Sequence, residues 1–439
     1  MVADGDCSGL GGNDGQPVEQ MDEPGAVGPV GAARSGLLAR SAWSLIGQGL
    51  SSSSNFVLSV LVLSRASRVE FATLSVVLTT YTFLVLLLRS VVGLPVTLLY
   101  SHGLGRGNER DFRAAAGVTL VVSVVAGAAL LVAAAVSPRD RGQLVVLGAA
   151  LPLLLLQDAA RYAWFAMGRP RMAAEADGLW VLLQVVGSAL VLTLAGTGAP
   201  ATLLLGAWAG AGAVSGCFLV LRTRLWPAPA AGYRWLVAHR ALCGKLVTDY
   251  LVGAGSHYAV FFGLAVVAGS DELGRLKAAQ TFLGPLIVLL LGGAVFGVPE
   301  SVRAGADPAR LWRLTRRLGG ALVGASVACG AVVYAVLPVI GPATFPDAWA
   351  GARPAIPLLT VFAAAVGAST GATSGLRALD QNAWLLRARM LTGPVLVLAS
   401  IPASASFGVN GALAVLSSVE WTVAVLSWRR LRGMLAQPA

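Results

Sequence analysis

Charge is scarce in this chain. Only 12% of its 439 residues are Asp, Glu, Lys or Arg, about half the fraction usual in a soluble domain. Lysine is nearly missing: Lys245 and Lys277 stand against 30 arginines. The four cysteines (Cys7, Cys217, Cys243 and Cys329) lie far apart without paired spacing, so they read as small apolar fillers and not as a disulfide or metal framework. There is no Gly-Lys-Ser/Thr phosphate loop, which excludes an ATP-driven pump acting alone. There is no His-Glu-x-x-His metal motif and no Gly-x-Ser-x-Gly elbow, so neither an enzyme nor a bound metal is expected. The N-terminus has no basic stretch leading into an apolar one, which excludes a signal peptide. Residues 1–33 lack Lys and Arg but hold Asp4, Asp6, Asp14, Glu19, Asp22 and Glu23 among many glycines. That composition predicts a disordered acidic tail, drawn to residue 36.

What fills the chain is hydrocarbon. The sequence is 56% hydrophobic with mean hydropathy +0.74, and apolar runs recur at about 20 residues, the length that crosses a bilayer. Twelve spans are expected: 41–64, 71–93, 114–136, 143–166, 174–195, 200–221, 246–269, 274–297, 318–339, 355–375, 383–402 and 407–428. The expected fold is therefore an all-α integral membrane protein. The net charge of +11 could suggest nucleic acid, but the arginines sit in short loops between spans. Twenty-five of the 32 basic residues fall in or nearest the two tails and the loops after spans 2, 4, 6, 8 and 10. The positive-inside rule then predicts cytoplasmic termini, with no nucleic-acid partner; the dominance of Ala, Gly and Arg points to a GC-rich bacterial genome and so to a bacterial plasma membrane.

Two basic loops are expected to lie at the membrane surface. In ADPARLWRLTRRL (306–318), Arg310, Arg313 and Arg317 share one helical face and Leu311, Leu314 and Leu318 another, with Asp307-Pro308 as a start signal. WPAPAAGYRWLVAHRALCGK (226–245) joins the halves, with Trp226 and Trp235 as interface anchors.

The halves resemble each other. VVGLPV (91–96) ends span 2 and VFGVPE (295–300) ends span 8, so Gly93 matches Gly297 and Pro95 matches Pro299. The turn SRASRVE (64–70) matches GSDELGR (269–275), and MGRPR (167–171) echoes GLRALD (375–380). Six spans per half make these parallel repeats: bundles at 37–225 and 246–428, a connector at 226–245 and a short basic tail at 429–439. Parallel repeats enclose a central cavity at the midplane and rock about it. The four Gly and Pro positions are the expected hinges, because proline removes a backbone hydrogen bond.

Ionisable groups in hydrocarbon are costly, about 2.5–3.5 kcal/mol each on insertion scales, so each one needs a reason. Asp158 and Arg161 share one face of span 4, and Arg89 lies late in span 2. Asp249 and His257 lie in span 7, and Glu420 in span 12. The structural alternatives are an Asp158–Arg161 pair that only fixes packing, Arg89 reaching to headgroups, an Asp249–Lys245 surface pair and a packing histidine. The functional alternative gives Arg89 and Arg161 to an anionic substrate, since a guanidinium can hold two phosphate oxygens. Asp158, Asp249 and Glu420 then exchange a coupling ion.

SSSSNFVLSVLVLSRASRVEFATLSVV (51–77), with its Glu70-Phe71-Ala72 step, resembles the first hairpin of bacterial polysaccharide flippases. These belong to the multidrug/oligosaccharidyl-lipid/polysaccharide exporter superfamily. ELGRLKAAQTFLGPL (272–286), QDAARYAWFAMGRPR (157–171) and IGPATFPDAWAGARPAIPLL (340–359) are similar to segments of actinobacterial members. The resemblance spans residues 37–432. It implies two six-helix bundles around a central cavity and export of isoprenoid-diphosphate-linked oligosaccharide for polysaccharide biosynthesis. It implies no cofactor beyond an H+ or Na+ gradient, and partners among polysaccharide polymerases and glycosyltransferases. Arg40 is the one residue matching the arginine-rich first helix of peptidoglycan-precursor flippases, and it joins Arg89 and Arg161 as a substrate-binding candidate. Three rivals stand: a drug antiporter of the same superfamily, a major-facilitator transporter and a scaffold in a polymer-assembly complex. The second needs a Gly-x-x-x-Asp-Arg-x-Gly-Arg-Arg loop after span 2, and HGLGRGNERDFR (102–113) has the charge in the wrong order.

Overall fold

The computed structural model describes residues 30–100, 108–138, 140–195, 200–304 and 307–436. Every regular element among them is helical. The first bundle starts with α1 (Val30–Arg65), α2 (Arg68–Leu88) and α3 (Leu94–Tyr100). It continues through α4 (Asn108–Val136), α5 (Arg141–Ala166), α6 (Pro170–Ala195) and α7 (Ala201–Thr223). A short helix, α8 (Pro229–Ala238), leads to α9 (Arg240–Tyr250) and α10 (Ser256–Val267), which together form span 7. Then come α11 (Ser270–Phe282), α12 (Gly284–Ala304) and α13 (Pro308–Thr344). The chain ends with α14 (Pro346–Ala352), α15 (Ile356–Ala378) and α16 (Asn382–Leu435).

α16 is two spans. At Gly408 the backbone takes φ 55° and ψ −138°, a conformation open to glycine because it has no Cβ. Eight residues of straight helix would separate Ala403 from Gly411 by about 12 Å, yet a Cβ on Gly411 would run into the carbonyl of Ala403. The chain doubles back there, which gives the hairpin expected between 402 and 407. Polar side chains inside the spans are largely satisfied locally. Ser75, Thr79, Thr80 and Thr82 each donate to the carbonyl four residues earlier, so few hydroxyls need a partner in lipid.

The twofold repeat is visible in hydrogen bonds. Glu70, in the first turn of α2, accepts from the N–H of Ala201, the first residue of α7, at 3.4 Å. Glu272, in the first turn of α11, accepts from the N–H of Val409, just past the Gly408 turn, at 2.8 Å. The same carboxylate thus caps the last span of each bundle from the second span, 202 and 208 residues apart (70 to 272, 201 to 409).

Several boundaries differ from expectation. Helix α1 begins at Val30, inside the stretch assigned to the acidic tail. The stretch expected as a separate surface helix is not one: residues 308–318 are the first turns of the 37-residue α13. Its length, about 55 Å, exceeds a hydrocarbon core of about 30 Å, so those turns can emerge at the polar boundary. Asp307 does cap it, accepting from Ala309 N at 2.9 Å and Arg310 N at 3.1 Å. Trp226 is exposed, but Trp235 is buried and donates to Tyr100 Oη at 3.1 Å. It is therefore a packing residue of the first bundle and not an interface anchor. Gly232 fits that docking, because a Cβ there would lie 2.8 Å from the carbonyl of Ala114 on α4.

The bundles touch unequally. At the end holding the Arg65–Ser67 turn, α11 packs along α2, and an added Cβ on Gly274 would sit 3.3 Å from that of Ala72. Span 8 then bends by 72° at Leu283–Gly284, and α12 swings toward α13 and α15 of its own bundle. At the opposite, arginine-rich end, contact between bundles runs mainly through α9 against the base of span 2. The sequence placed the span 8 hinge at Gly297 and Pro299. The observed bend lies earlier, where Pro285 has no N–H to continue the ladder.

Candidate functional site

Four charged side chains from three spans meet inside the first bundle. Arg89 opens a π-turn, Arg89–Gly93, between α2 and α3. Pro95 follows directly, and its missing N–H removes the hydrogen bond that would hold that turn in regular helix. The π-turn re-aims the side chains around it. Gly93 makes room for Tyr162, whose ring would lie 2.9 Å from a Cβ there, and the Arg89 guanidinium sits over that ring at 5.6 Å.

Asp158 grips Arg89 in a two-point pair, accepting from Nε at 2.9 Å and from Nη2 at 2.7 Å. Arg161 Nη1 donates to Asp158 Oδ1 at 3.3 Å and to Ser51 Oγ at 3.4 Å. Its Nε lies 3.1 Å from Asp177 Oδ2 on α6. That pair is close but poorly aligned, so neither atom makes a hydrogen bond. Gln157 Nε2 donates to Asp177 Oδ1 at 3.0 Å. The Arg161 and Asp177 side chains are 3% and 0% exposed, whereas Arg89 keeps 20%. Arg89 is the most exposed member of the network.

Arg89 and Arg161, expected together in a basic patch, do lie together, with Asp158 and Asp177 beside them. Two arginines face two aspartates, and the charge of the cluster sums to zero. Asp158 does hold Arg161, but its tighter partner is Arg89. Asp177 was missed because MAAEADGLW (172–180) reads as the polar edge of span 5. The nearest hint was its place seven residues past Pro170, well inside the helix.

The other candidates lie in the second bundle. Glu420 accepts from Ser369 Oγ at 2.6 Å and has no ion-pair partner among the described residues. Asp249 does not pair with Lys245; it lies 3.9 Å from Arg389 Nη1, at the start of span 11. Arg377 is close enough to feel both. The absence of a side chain on Gly253 lets Arg389 lie there, since an added Cβ would be 2.8 Å from Nη1. His257 Nδ1 contacts the carbonyl of Gly253 at 3.2 Å, and its ring packs on Phe362. Gly297 is a packing position, since a Cβ there would lie 2.8 Å from Ser374 Oγ. Pro95 is buried in α3. The side chains of Arg40 and Pro299 lie outside the described residues.

No protein-family model matches the chain and no curated protein matches it. Solved structures do. The inward-facing form of a multidrug resistance MATE family transporter of the MOP superfamily superposes with a TM-score of 0.69 at 12% identity, covering 90% of this chain and 98% of that one. An outward-facing form of such a transporter gives 0.53 at 14% identity, covering 92% and 97%. A MOP superfamily transporter from Pyrococcus furiosus Vc1, described as having a binding pocket of reversed polarity, gives 0.53 at 12% identity, covering 92% and 96%. The chain shares the twelve-helix fold of these transporters.

Proposed function

We propose that this chain is a membrane transporter that works by alternating access, moving isoprenoid-diphosphate-linked oligosaccharide from the inner to the outer leaflet of a bacterial plasma membrane. The observation that carries the transport reading is the unequal contact between bundles. They are closed where Gly274 meets Ala72 and joined chiefly through span 7 at the other end. The higher superposition score with an inward-facing form agrees with that arrangement.

Two features support an anionic substrate. Arg89 is the partly exposed member of its cluster. Arg377 and Arg389 face the single carboxylate of Asp249, so the second bundle keeps a net positive group even though the first is neutral. The helix carrying Asp249 packs against the π-turn that begins at Arg89, which puts both features at one level of the bundle interface. A diphosphate displaces Asp158 from Arg89 only if it binds the guanidinium fork as well as the carboxylate does. An H+ or Na+ gradient would drive the cycle, with Asp158, Asp249 and Glu420 as coupling candidates and Asp177 now added.

One observation favours drug export instead. The first bundle's charge cancels, which removes its preference for an anion. The deciding experiment follows radiolabelled isoprenoid-linked sugar, sorted by leaflet, in cells lacking the gene. Inner-leaflet accumulation that the wild-type chain reverses and Arg89→Ala does not supports the flippase reading. Normal distribution of the lipid with altered dye efflux hands the protein to the drug exporters.

A further inference from the structure

The two bundles frame a cleft where they close on each other, at the end holding the Arg65–Ser67 turn. Its walls include Arg65 and Phe71 from the first bundle and Asp271, Arg275, Ala278 and Phe345 from the second. It follows α11 from Asp271 to Ala278, two turns or about 10 Å, and encloses about 120 Å³. One water needs about 10–15 Å³, so the cleft has room for a molecule of about ten heavy atoms. Each bundle supplies part of the wall, so the cleft exists only while this end is shut.

The charges around it are only partly matched. Arg275 Nη1 donates to Glu272 Oε1, on the carboxylate that also caps Val409, so these two cancel. The Arg275 Nε has no acceptor among the described residues. Arg65 lies in the last turn of α1 and Asp271 in the first turn of α11, both exposed. Neither forms an ion pair among the described residues. Three other carboxylates at this end do have partners: Asp140 accepts from Thr73 and Ser137, Glu70 from Ser67 and Glu272 from Arg275. One unmatched cation on the first bundle and one unmatched anion on the second therefore line a single cleft. A simple anion there would leave Asp271 unanswered, and a simple cation would leave Arg65 unanswered. A molecule with both charges answers both: an oxyanion accepts from the guanidinium, and an ammonium donates to the carboxylate. The rings of Phe71 and Phe345 in the wall suit an ammonium as well, through their negative faces.

We propose that this cleft binds a small zwitterion, with its oxyanion on Arg65 and its primary ammonium on Asp271. The phosphoethanolamine group carries that chemistry within the size of the cleft, either free in water or as the headgroup of phosphatidylethanolamine. Bound between residues of both bundles, the zwitterion favours the shut form over the open one, because only the shut form presents both charges to it. This site is separate from the buried arginine and aspartate cluster, and it does not depend on what the protein carries.

The full chain is purified in dodecyl maltoside, whose headgroup is uncharged, and titrated calorimetrically with O-phosphoethanolamine. Saturable binding is expected. Arg65→Gln and Asp271→Asn, one on each bundle and both at exposed positions without ion pairs, should each weaken it about tenfold. On the wild-type chain, ethyl phosphate and ethanolamine each carry half of the charge pattern and should also bind about tenfold more weakly. Absence of binding overturns the proposal. So does binding unchanged in either variant, or ethyl phosphate binding as tightly as phosphoethanolamine. The comparison of ligands needs no variant, so it stands should a substituted chain fail to fold. The same titration in phosphatidylglycerol nanodiscs, with and without phosphatidylethanolamine, separates the two sources. An apparent affinity lowered about tenfold by the added lipid assigns the site to a lipid headgroup. An unchanged affinity assigns it to a soluble zwitterion, and either result upholds the site.

Discussion

At the scale of single residues, the buried cluster of the first bundle ties stability to chemistry. Arg161 and Asp177 have lost nearly all contact with water, and removing one partner of a buried pair strands the other charge, typically at about 3–5 kcal/mol. Asp177→Leu should therefore lower the unfolding temperature of the purified protein sharply. Arg161→Leu with Asp177→Leu should recover much of the loss, because both stranded charges leave together; a coupling of about 1–3 kcal/mol is expected. Thermal unfolding of the two single variants and the double variant in one detergent checks this. Additive losses would mean that Arg161 and Asp177 do not act as a pair. Arg89→Gln should cost less stability, since its side chain keeps 20% exposure and water can take over part of its role. The sequence offered only half of this cluster. Asp158 and Arg161 are legible as i and i+3 neighbours, but Arg89 lies 69 residues from Asp158 and Asp177 comes from another helix. No periodicity within one span reports on a partner across the bundle.

At the scale of elements, what the sequence made legible was the alternation of spans, the repeat and the breaks that need Gly or Pro. What it hid was which break bends. Both Gly-Pro matches looked like hinges, yet span 2 answers Pro95 with a π-turn and span 8 bends at Leu283–Gly284. The outcome depends on which neighbours hold each half of the broken helix. The paired carboxylates show the same logic with a measurable consequence. Glu272 accepts from Val409 N at 2.8 Å, and Glu70 from Ala201 N at 3.4 Å. Losing a helix cap costs about 0.5–2 kcal/mol. Glu272→Ala should fall at the upper end, because it also loosens the Gly408 turn, where Glu272 Oε2 would lie 2.5 Å from an added Cβ. Gly408→Ala should be worse still, combining that collision with a backbone conformation that costs a non-glycine residue about 1–3 kcal/mol. Unfolding temperatures ranked wild type, Glu272→Ala, Gly408→Ala in descending order are expected. A Gly408→Ala protein as stable as wild type would show that the α16 break is not the turn described.

At the scale of the whole molecule, the test is whether the two bundles must part where they now touch. Alternating access requires the close packing of α2 and α11 to open once per cycle, so that a substrate entering from the arginine-rich end can leave at the other. The geometry offers a reversible lock. An added Cβ on Gly274 lies 3.3 Å from the Cβ of Ala72, close to the spacing of about 3.5–4.5 Å that a disulfide spans. Ala72→Cys with Gly274→Cys should cross-link readily under mild oxidation in membranes. Transport should then stop and return on reduction, while either single variant keeps working under the same oxidant. If the bridge forms and transport continues, the contact between α2 and α11 is static and the opening lies elsewhere. If the bridge forms only when substrate or an ion gradient is supplied, the resting state is open at this end, and the arrangement seen here is a later step of the cycle. The lock reads motion and not cargo. It applies equally to a flippase and a drug exporter, and it separates the transport reading from a static scaffold before the substrate is known.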